Sequence, residues 1–160
     1  MASVDLHVTL CFVGAAEDAA LAALCERAAQ IRACVFELEF SCLQYWRAAR
    51  VLVLRAASAP AAVSELSRQL ALAARASGLV PDEKPLCPHV TLMRGVGVAA
   101  GPLGDGVVEW PLARVVMASS EFHLAQSQEL APQGCSLVSE TLPRYRSLAR
   151  WPLSFRGAGA

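Results

Sequence analysis

Two nearly identical pentapeptides constrain this chain more than any other feature of its sequence. Residues 6–10 read Leu-His-Val-Thr-Leu and residues 88–92 read Pro-His-Val-Thr-Leu, so the two histidines lie 82 positions apart. Each copy alternates polar and apolar residues, which is typical of a β-strand with one buried face. His7 therefore shares a strand face with Thr9, and His89 shares one with Thr91. The repeat predicts a duplicated unit whose two copies converge on one cleft, with two imidazoles and two hydroxyl groups.

The segments around the two copies predict alternating strands and two helices. Apolar residues at three-to-four spacing mark one helix after Asp18, which is placed to cap it, and a second from about Pro60 to a stop at Gly78. Strand-like segments span residues 5–13, 35–43, 50–55, 89–94, 107–112, 113–125 and 144–153. Residues 79–88 and 95–106 are typical of loops. This order predicts an α+β fold in which segments 35–43 and 50–55 pair.

Length and composition favour one folded domain and exclude several classes of protein. The chain has 160 residues, of which 55% are hydrophobic and 18% charged, so there is enough apolar surface for a core. Basic and acidic residues number 14 each, which argues against binding through bulk positive charge. No stretch approaches the roughly 20 apolar residues of a membrane span, and the first residues do not resemble a secretory signal. We expect a cytoplasmic protein with no membrane partner.

The six cysteines predict neither a disulfide framework nor a metal site. They are scattered along the chain and form no C-x-x-C pair. Structural zinc sites take their ligands in close pairs, whereas here Cys87 and His89 are the one pair of neighbours. We expect buried free thiols, no metal and no cofactor.

The histidine and threonine pairs suit the cleavage of a phosphodiester. Histidine, with an unperturbed pKa of about 6.5, can take a proton from water and give one to a leaving oxygen. Threonine hydroxyls can donate hydrogen bonds to phosphate oxygens, and Arg94, five residues after His89, adds a cationic donor. A lone His-x-Thr is usually a surface pair, and a duplicated strand can be purely structural, but two copies in matching contexts favour function. His123 has no such threonine and is interpreted as an ordinary polar strand position.

These motifs resemble those of the 2H phosphoesterases, a superfamily named for two His-x-Thr/Ser-x motifs. Within it, the chain is similar to the bacterial and archaeal RNA 2′,3′-cyclic phosphodiesterases, also called 2′-5′ RNA ligases. The resemblance covers nearly the whole chain and includes Phe12-Val13-Gly14, Tyr45-Trp46-Arg47 and Arg150-Trp151-Pro152-Leu153. It implies a two-lobed, pseudo-twofold fold with antiparallel sheets lining a central cleft and helices outside. Residues 1–160 would form a single bilobed domain.

The resemblance also implies a site and a reaction. His7 would be the proton donor and His89 the proton acceptor, while Thr9, Thr91 and Arg94 would bind the substrate phosphate. The enzyme would open the terminal 2′,3′-cyclic phosphate of RNA to a 2′-phosphate without a metal, and would join RNA ends through a 2′-5′ bond weakly. We expect it to act as a monomer on RNA ends, tRNA-like fragments among them.

Two alternatives stay open at this point. One is a 2H phosphoesterase that acts on a small cyclic nucleotide or an ADP-ribose cyclic phosphate, and the other is a non-catalytic module that binds RNA or phosphate. Trp46, Arg47 and Arg50 would favour RNA if they lie near the cleft, through base stacking and phosphate contacts. Family members usually carry a strand and a helix before the first motif, whereas six residues precede His7 here. We therefore expect that element to be missing and the chain to be less stable than one extended upstream.

Overall fold

Six strands and two helices form the part of the chain that the structure, a computed structural model, describes: residues 6–96, 107–127 and 144–154. In chain order they are α1 (Asp18–Ala28), β1 (Phe36–Trp46), β2 (Val51–Ala56), α2 (Ala61–Ala76), β3 (His89–Arg94), β4 (Val107–Ser119), β5 (Glu121–Ser127) and β6 (Tyr145–Pro152). One sheet has the strand order β3-β2-β1-β4, and β5 pairs with β6 in a second sheet. All these ladders are antiparallel, and β1 pairs with β2 as predicted. The expected α+β fold is confirmed.

Helix α2 lies where the proline and glycine signals predicted it. Pro60 occupies the N-cap position, where its missing N–H costs little, and Gly78 has a φ of +80° that lets the chain turn away from the helix. The predicted apolar stripe is buried, with Val63, Leu66 and Ala74 all at 0% exposure. Because these residues recur on one face, α2 packs against the sheets along its length.

Helix α1 begins one residue earlier than predicted. Glu17 is the N-cap residue and makes no side-chain capping hydrogen bond, while Asp18 is the first helical residue. The capping role predicted for Asp18 is therefore wrong. Its carboxylate instead lies in the first turn, where the helix dipole favours negative charge.

The first motif does not form the strand predicted for residues 5–13. Within residues 6–14, the one ladder contact is an isolated antiparallel bridge between Val8 and Val90 of β3. Nearby backbone groups find other partners; the Leu10 carbonyl, for example, accepts a hydrogen bond of 2.6 Å from the Ser67 hydroxyl of α2. Backbone N–H and C=O groups need hydrogen-bond partners, but these partners need not belong to a neighbouring β-strand. The alternating pattern was correct about the faces of this segment and wrong about its extent as a strand.

The strand boundary predicted between residues 112 and 113 is also wrong. Strand β4 continues through Pro111 to Ser119, and the break falls at Ser120. Pro111 pairs with Cys42 at a register irregularity of the β1–β4 ladder. Proline is tolerated in edge strands and at bulges, and β4 is the last strand in the sheet order. Strand β4 therefore continues through Pro111, although proline usually interrupts a strand.

The hydrophobic core lies between the helices and one face of each sheet. Leu38 of β1 packs in a cluster with Val63 of α2. A second cluster joins Leu66 of α2 to Phe122 of β5. The helices therefore cover the apolar faces of both sheets, as expected for helices outside a cleft. The opposite face of the four-stranded sheet carries the polar residues of the motifs.

The described cysteines are free thiols, as predicted, but they are partly rather than fully buried. Burial raises the pKa of the Cys11 thiol above its ordinary value, which keeps it protonated near neutral pH. Cys135 and most of the loop predicted at 95–106 lie outside the described residues. Among the residues described, no helix is long and apolar enough to cross a membrane.

Candidate active site

The bridge between Val8 and Val90 brings the two motifs side by side. Both valines contact the hydrophobic cluster beneath the four-stranded sheet. Successive side chains of an extended segment point to opposite sides, so the residues flanking each valine point away from the core. The two copies of the repeat are therefore neighbours in space, as the sequence predicted.

The four polar side chains of the motifs share one face. Continuing the antiparallel register of the bridge by one residue sets His7 opposite Thr91 and Thr9 opposite His89. In this register the position of each histidine faces the position of the threonine in the other copy. This cross-wise arrangement is what a local twofold relation between the copies produces.

A β-bulge in β3 adds Arg94 to the same face. The ladder with β2 skips Leu92, because Thr91 and Met93 pair with consecutive residues of β2. In a regular strand, a residue five positions after His89 would point to the opposite face. The extra residue shifts the alternation by one, so Arg94 joins His89 and Thr91.

Tyr145, the first residue of β6, contacts His7 of the first motif and Arg94, which follows the second motif. Its ring meets the His7 ring nearly edge-on, with centroids 4.5 Å apart and an interplanar angle of 72°. Its hydroxyl accepts a hydrogen bond from Arg94 Nη2 at 3.3 Å. The second sheet therefore contributes a side chain to the site. Sequence reasoning missed Tyr145, since no motif surrounds it and the pattern there indicates only a strand.

The ring of His89 is held from two sides. Its Nδ1 lies 2.7 Å from the Cys87 carbonyl oxygen, and because a carbonyl can only accept, Nδ1 carries the hydrogen. In the neutral ring, Nε2 then holds the lone pair. The Trp46 ring packs against the imidazole with centroids 4.6 Å apart, and its Nε1 donates to Gln44 Oε1 at 2.9 Å. Tautomer and ring plane are thus both set by neighbours.

No family model matches this chain, but named proteins are similar to it in sequence over most of its length. It is 28% identical over 153 residues to an RNA 2′,3′-cyclic phosphodiesterase of Geobacillus stearothermophilus, covering 93% of this chain and 46% of the relative. It is 29% identical over 154 residues to a protein of the same name from Escherichia coli (strain K12), covering 96% and 79%. The chain therefore spans about half the length of the first relative.

Solved structures show the same architecture. Escherichia coli LigT complexed with 3′-AMP superposes with a TM-score of 0.73 at 28% identity, over 95% of this chain and 79% of LigT. A second solved phosphoesterase matches with a TM-score of 0.73 at 28% identity, over 94% of this chain and 78% of that one. These relatives and solved structures support the resemblance of the chain to the 2H phosphoesterases. The resemblance, and the α+β fold of antiparallel sheets and outer helices that it implies, are confirmed.

The motif residues differ in exposure. Thr91 is buried, with 7% of its surface exposed. His7 and His89 are half-buried, whereas Thr9 and Arg94 are exposed. The site is therefore open to a ligand on the side of Thr9 and Arg94 and closed beneath Thr91.

The turn between β1 and β2 adjoins one end of the site. It spans residues 47–50, and the Arg50 carbonyl accepts a hydrogen bond of 3.1 Å from the Val96 N–H, two residues after Arg94. Arg50 is exposed and Arg47 is half-buried. Of the three residues expected near the cleft, Trp46 contacts His89, and the two arginines lie on this adjoining turn.

Other polar groups of the chain lie outside this cluster. His123 contacts the Glu121 carboxylate at 2.9 Å on its own strand, consistent with an ordinary strand position. A surface depression lined by Glu37, Glu39 and Ser58 carries negative charge, which disfavours a phosphate. Across residues 6–96, 107–127 and 144–154, no three His, Cys, Asp or Glu side chains are grouped as metal ligands would be.

Proposed function

We propose that this chain is a 2H phosphoesterase that hydrolyses the terminal 2′,3′-cyclic phosphate of RNA and leaves a 2′-phosphate. The observation that carries the proposal is the bridge between Val8 and Val90, which sets the two His-x-Thr motifs side by side. The relatives named RNA 2′,3′-cyclic phosphodiesterase support the same class of substrate. An acid, a base and phosphate ligands are then available in one cluster.

His89 is the proton acceptor in this reaction. Its Nε2 takes a proton from a water molecule as the water oxygen attacks the phosphorus atom. The Nδ1–H group, which donates to the Cys87 carbonyl, keeps the ring oriented and stabilises the imidazolium that forms. The tautomer fixed by that hydrogen bond is the one that a base requires.

His7 is the proton donor. It gives a proton to the 3′-oxygen as the bond between phosphorus and that oxygen breaks, so the products are a 3′-hydroxyl and a 2′-phosphate. His89 gains the proton that water loses and His7 loses one, and exchange with solvent restores both rings. Two imidazoles on one face allow one group to act on the attacking oxygen and the other on the leaving oxygen.

Thr9, Thr91 and Arg94 bind the nonbridging oxygens of the phosphate. Hydroxyl and guanidinium donors bind the negative charge that these oxygens already carry in the substrate, and they keep it stabilised in the transition state. The bulge in β3, which sets Arg94 on the strand face of His89, supports this role for Arg94. These donors can supply the charge stabilisation without a metal, so we expect turnover in EDTA.

Trp46 supports RNA as the substrate. Its half-buried ring lies against His89, where a base next to the reacting phosphate can stack. Base–aromatic stacking contributes about 1–3 kcal/mol per base. A 5′-hydroxyl that replaced water would give a weak 2′-5′ joining reaction by the same groups. A monomeric state, a cytoplasmic location and tRNA-like substrates stay predictions.

Phosphorus NMR on a short RNA that ends in a 2′,3′-cyclic phosphate tests the proposal. In EDTA, the wild-type chain should convert the cyclic phosphate to a 2′-phosphate, and His7→Ala and His89→Ala should each remove nearly all of the rate. His123→Ala is the matched control, because it deletes the third histidine without touching the cluster. Full activity in a variant lacking both motif histidines would refute the mechanism. Binding of the RNA end without turnover would favour the non-catalytic alternative.

A further inference from the structure

Tyr145 joins parts of the site that come from opposite ends of the chain. It belongs to β6 in the second sheet, whereas Arg94 belongs to β3 in the first, and His7 precedes both sheets in sequence. Its ring contacts the His7 ring and its hydroxyl accepts from the Arg94 guanidinium. One residue therefore connects the group assigned as proton donor with the group assigned as cationic phosphate ligand.

We propose that Tyr145 is the positioning residue of this site, and the proposal rests on the function proposed above. Its hydroxyl holds the Arg94 guanidinium in the orientation that receives the phosphate. Its ring fixes the plane of the His7 imidazole for proton transfer to the leaving oxygen. Tyr145 itself makes no bond to the reacting atoms.

The chemistry of Arg94 explains why it needs such a partner. Arginine has a long flexible side chain, and Arg94 is exposed, so a free guanidinium would sample many rotamers. A guanidinium has five N–H donors, and the bond to Tyr145 uses one of them. The remaining donors stay available to a phosphate. Holding the group before substrate arrives removes part of the entropic cost of binding.

The ring contact acts on a different step. Proton transfer requires the donor nitrogen to lie within hydrogen-bond distance of the leaving oxygen. A half-buried imidazole packed against an aromatic ring has fewer orientations than one facing water. The hydroxyl of Tyr145 should therefore affect substrate affinity, and its ring should affect the rate of the chemical step.

Two substitutions separate these effects. Tyr145→Phe keeps the ring and removes the hydroxyl, so KM should rise about three- to tenfold while kcat changes less than about twofold. Tyr145→Ala also removes the ring, so kcat should fall at least about tenfold. Tyr45→Phe is the matched control, because the chain's other tyrosine donates its hydroxyl to the Val96 carbonyl at 2.9 Å. Its KM should match that of the wild type.

A double-mutant cycle with Arg94 provides the decisive readout. In the Arg94→Ala background, Tyr145→Phe should cause no further rise in KM, since the hydroxyl acts through the guanidinium. Independent effects that multiply would overturn the proposal, as would a Tyr145→Phe variant with wild-type KM. A role confined to folding would lower the unfolding midpoint without this coupling.

Direct binding separates failure of this inference from failure of the proposed function. Calorimetric titration with adenosine 2′-phosphate, the nucleotide form of the expected product, is run on the same variants. If the wild-type chain binds the nucleotide without hydrolysing cyclic phosphate ends, the proposed function fails, and weaker binding by Tyr145→Phe still supports the role of the hydroxyl. Equal binding by both proteins refutes that role. A wild-type chain that neither hydrolyses nor binds refutes both proposals.

Discussion

Exchanging Met93 and Arg94 tests whether the bulge in β3 decides which of the two side chains lies on the strand face of His89. The double substitution Met93→Arg, Arg94→Met keeps the composition and moves the guanidinium by one position. In a regular strand, position 93 would share the face of His89 and position 94 would not. The ladder with β2 places Arg94 on that face and Met93 on the other. The exchange should therefore inactivate the site rather than improve it.

The size of the effect follows from the lost interaction. A hydrogen bond to a charged group contributes about 1.5–3 kcal/mol, and each 1.4 kcal/mol is roughly tenfold, so kcat/KM should fall about 10- to 150-fold. Met93 is 53% exposed, so an arginine introduced there stays solvated. Exposed substitutions usually change the free energy of unfolding by less than about 0.5 kcal/mol. The loss should therefore appear in activity and not in stability.

Four proteins complete the measurement: the wild type, Arg94→Met, Met93→Arg and the exchange. We expect kcat/KM on the cyclic phosphate RNA to be near wild type for Met93→Arg and equally low for Arg94→Met and the exchange. Denaturant midpoints measured in parallel confirm that all four are folded. If the arginine at position 93 restored activity in the exchange, β3 would be a regular strand on this face and the reasoning from the bulge would be refuted.

Two further predictions concern stability and its dependence on pH. Leu66→Ala, at a side chain with 0% exposure, should lower the free energy of unfolding by about 2–5 kcal/mol, while Leu72→Ala on the same helix, at 49% exposure, should cost far less. Similar denaturant midpoints for the two variants would contradict the packing described for α2. The hydrogen bond from Arg68 lowers the pKa of Glu65 from 4.5 to about 2, so this carboxylate stabilises the fold above pH 4.5 and loses its effect as pH falls toward 2. The difference in midpoint between wild type and Glu65→Gln should therefore shrink over that window, and a constant difference would argue against the ion pair.

Local sequence determined the helices, most strands and the polar faces of the two motifs. Helix α2 could be predicted because Pro60, its apolar stripe and Gly78 act over a few residues each. Strand β3 could be predicted from His89 to Arg94 because its alternation is local as well. The repeat also identified the four polar side chains of the motifs, because both copies of the pattern are visible in the sequence itself.

The other features of the fold and of the candidate site depend on contacts between segments that are far apart in the sequence. The first motif makes a single bridge because its partners are α2 and β3, which no local pattern can specify. Arg94 lies on the same strand face as His89 because of a bulge that only the register with β2 reveals. Tyr145, at the start of β6, is 51 residues from Arg94 in the sequence, and the two side chains meet only in the folded chain. Periodicity records which face of a segment is buried, whereas register and neighbours depend on the packing of the whole chain. The two motifs could therefore be recognised from the sequence alone. Their arrangement with Arg94 and Tyr145 in one candidate site depends on the tertiary structure.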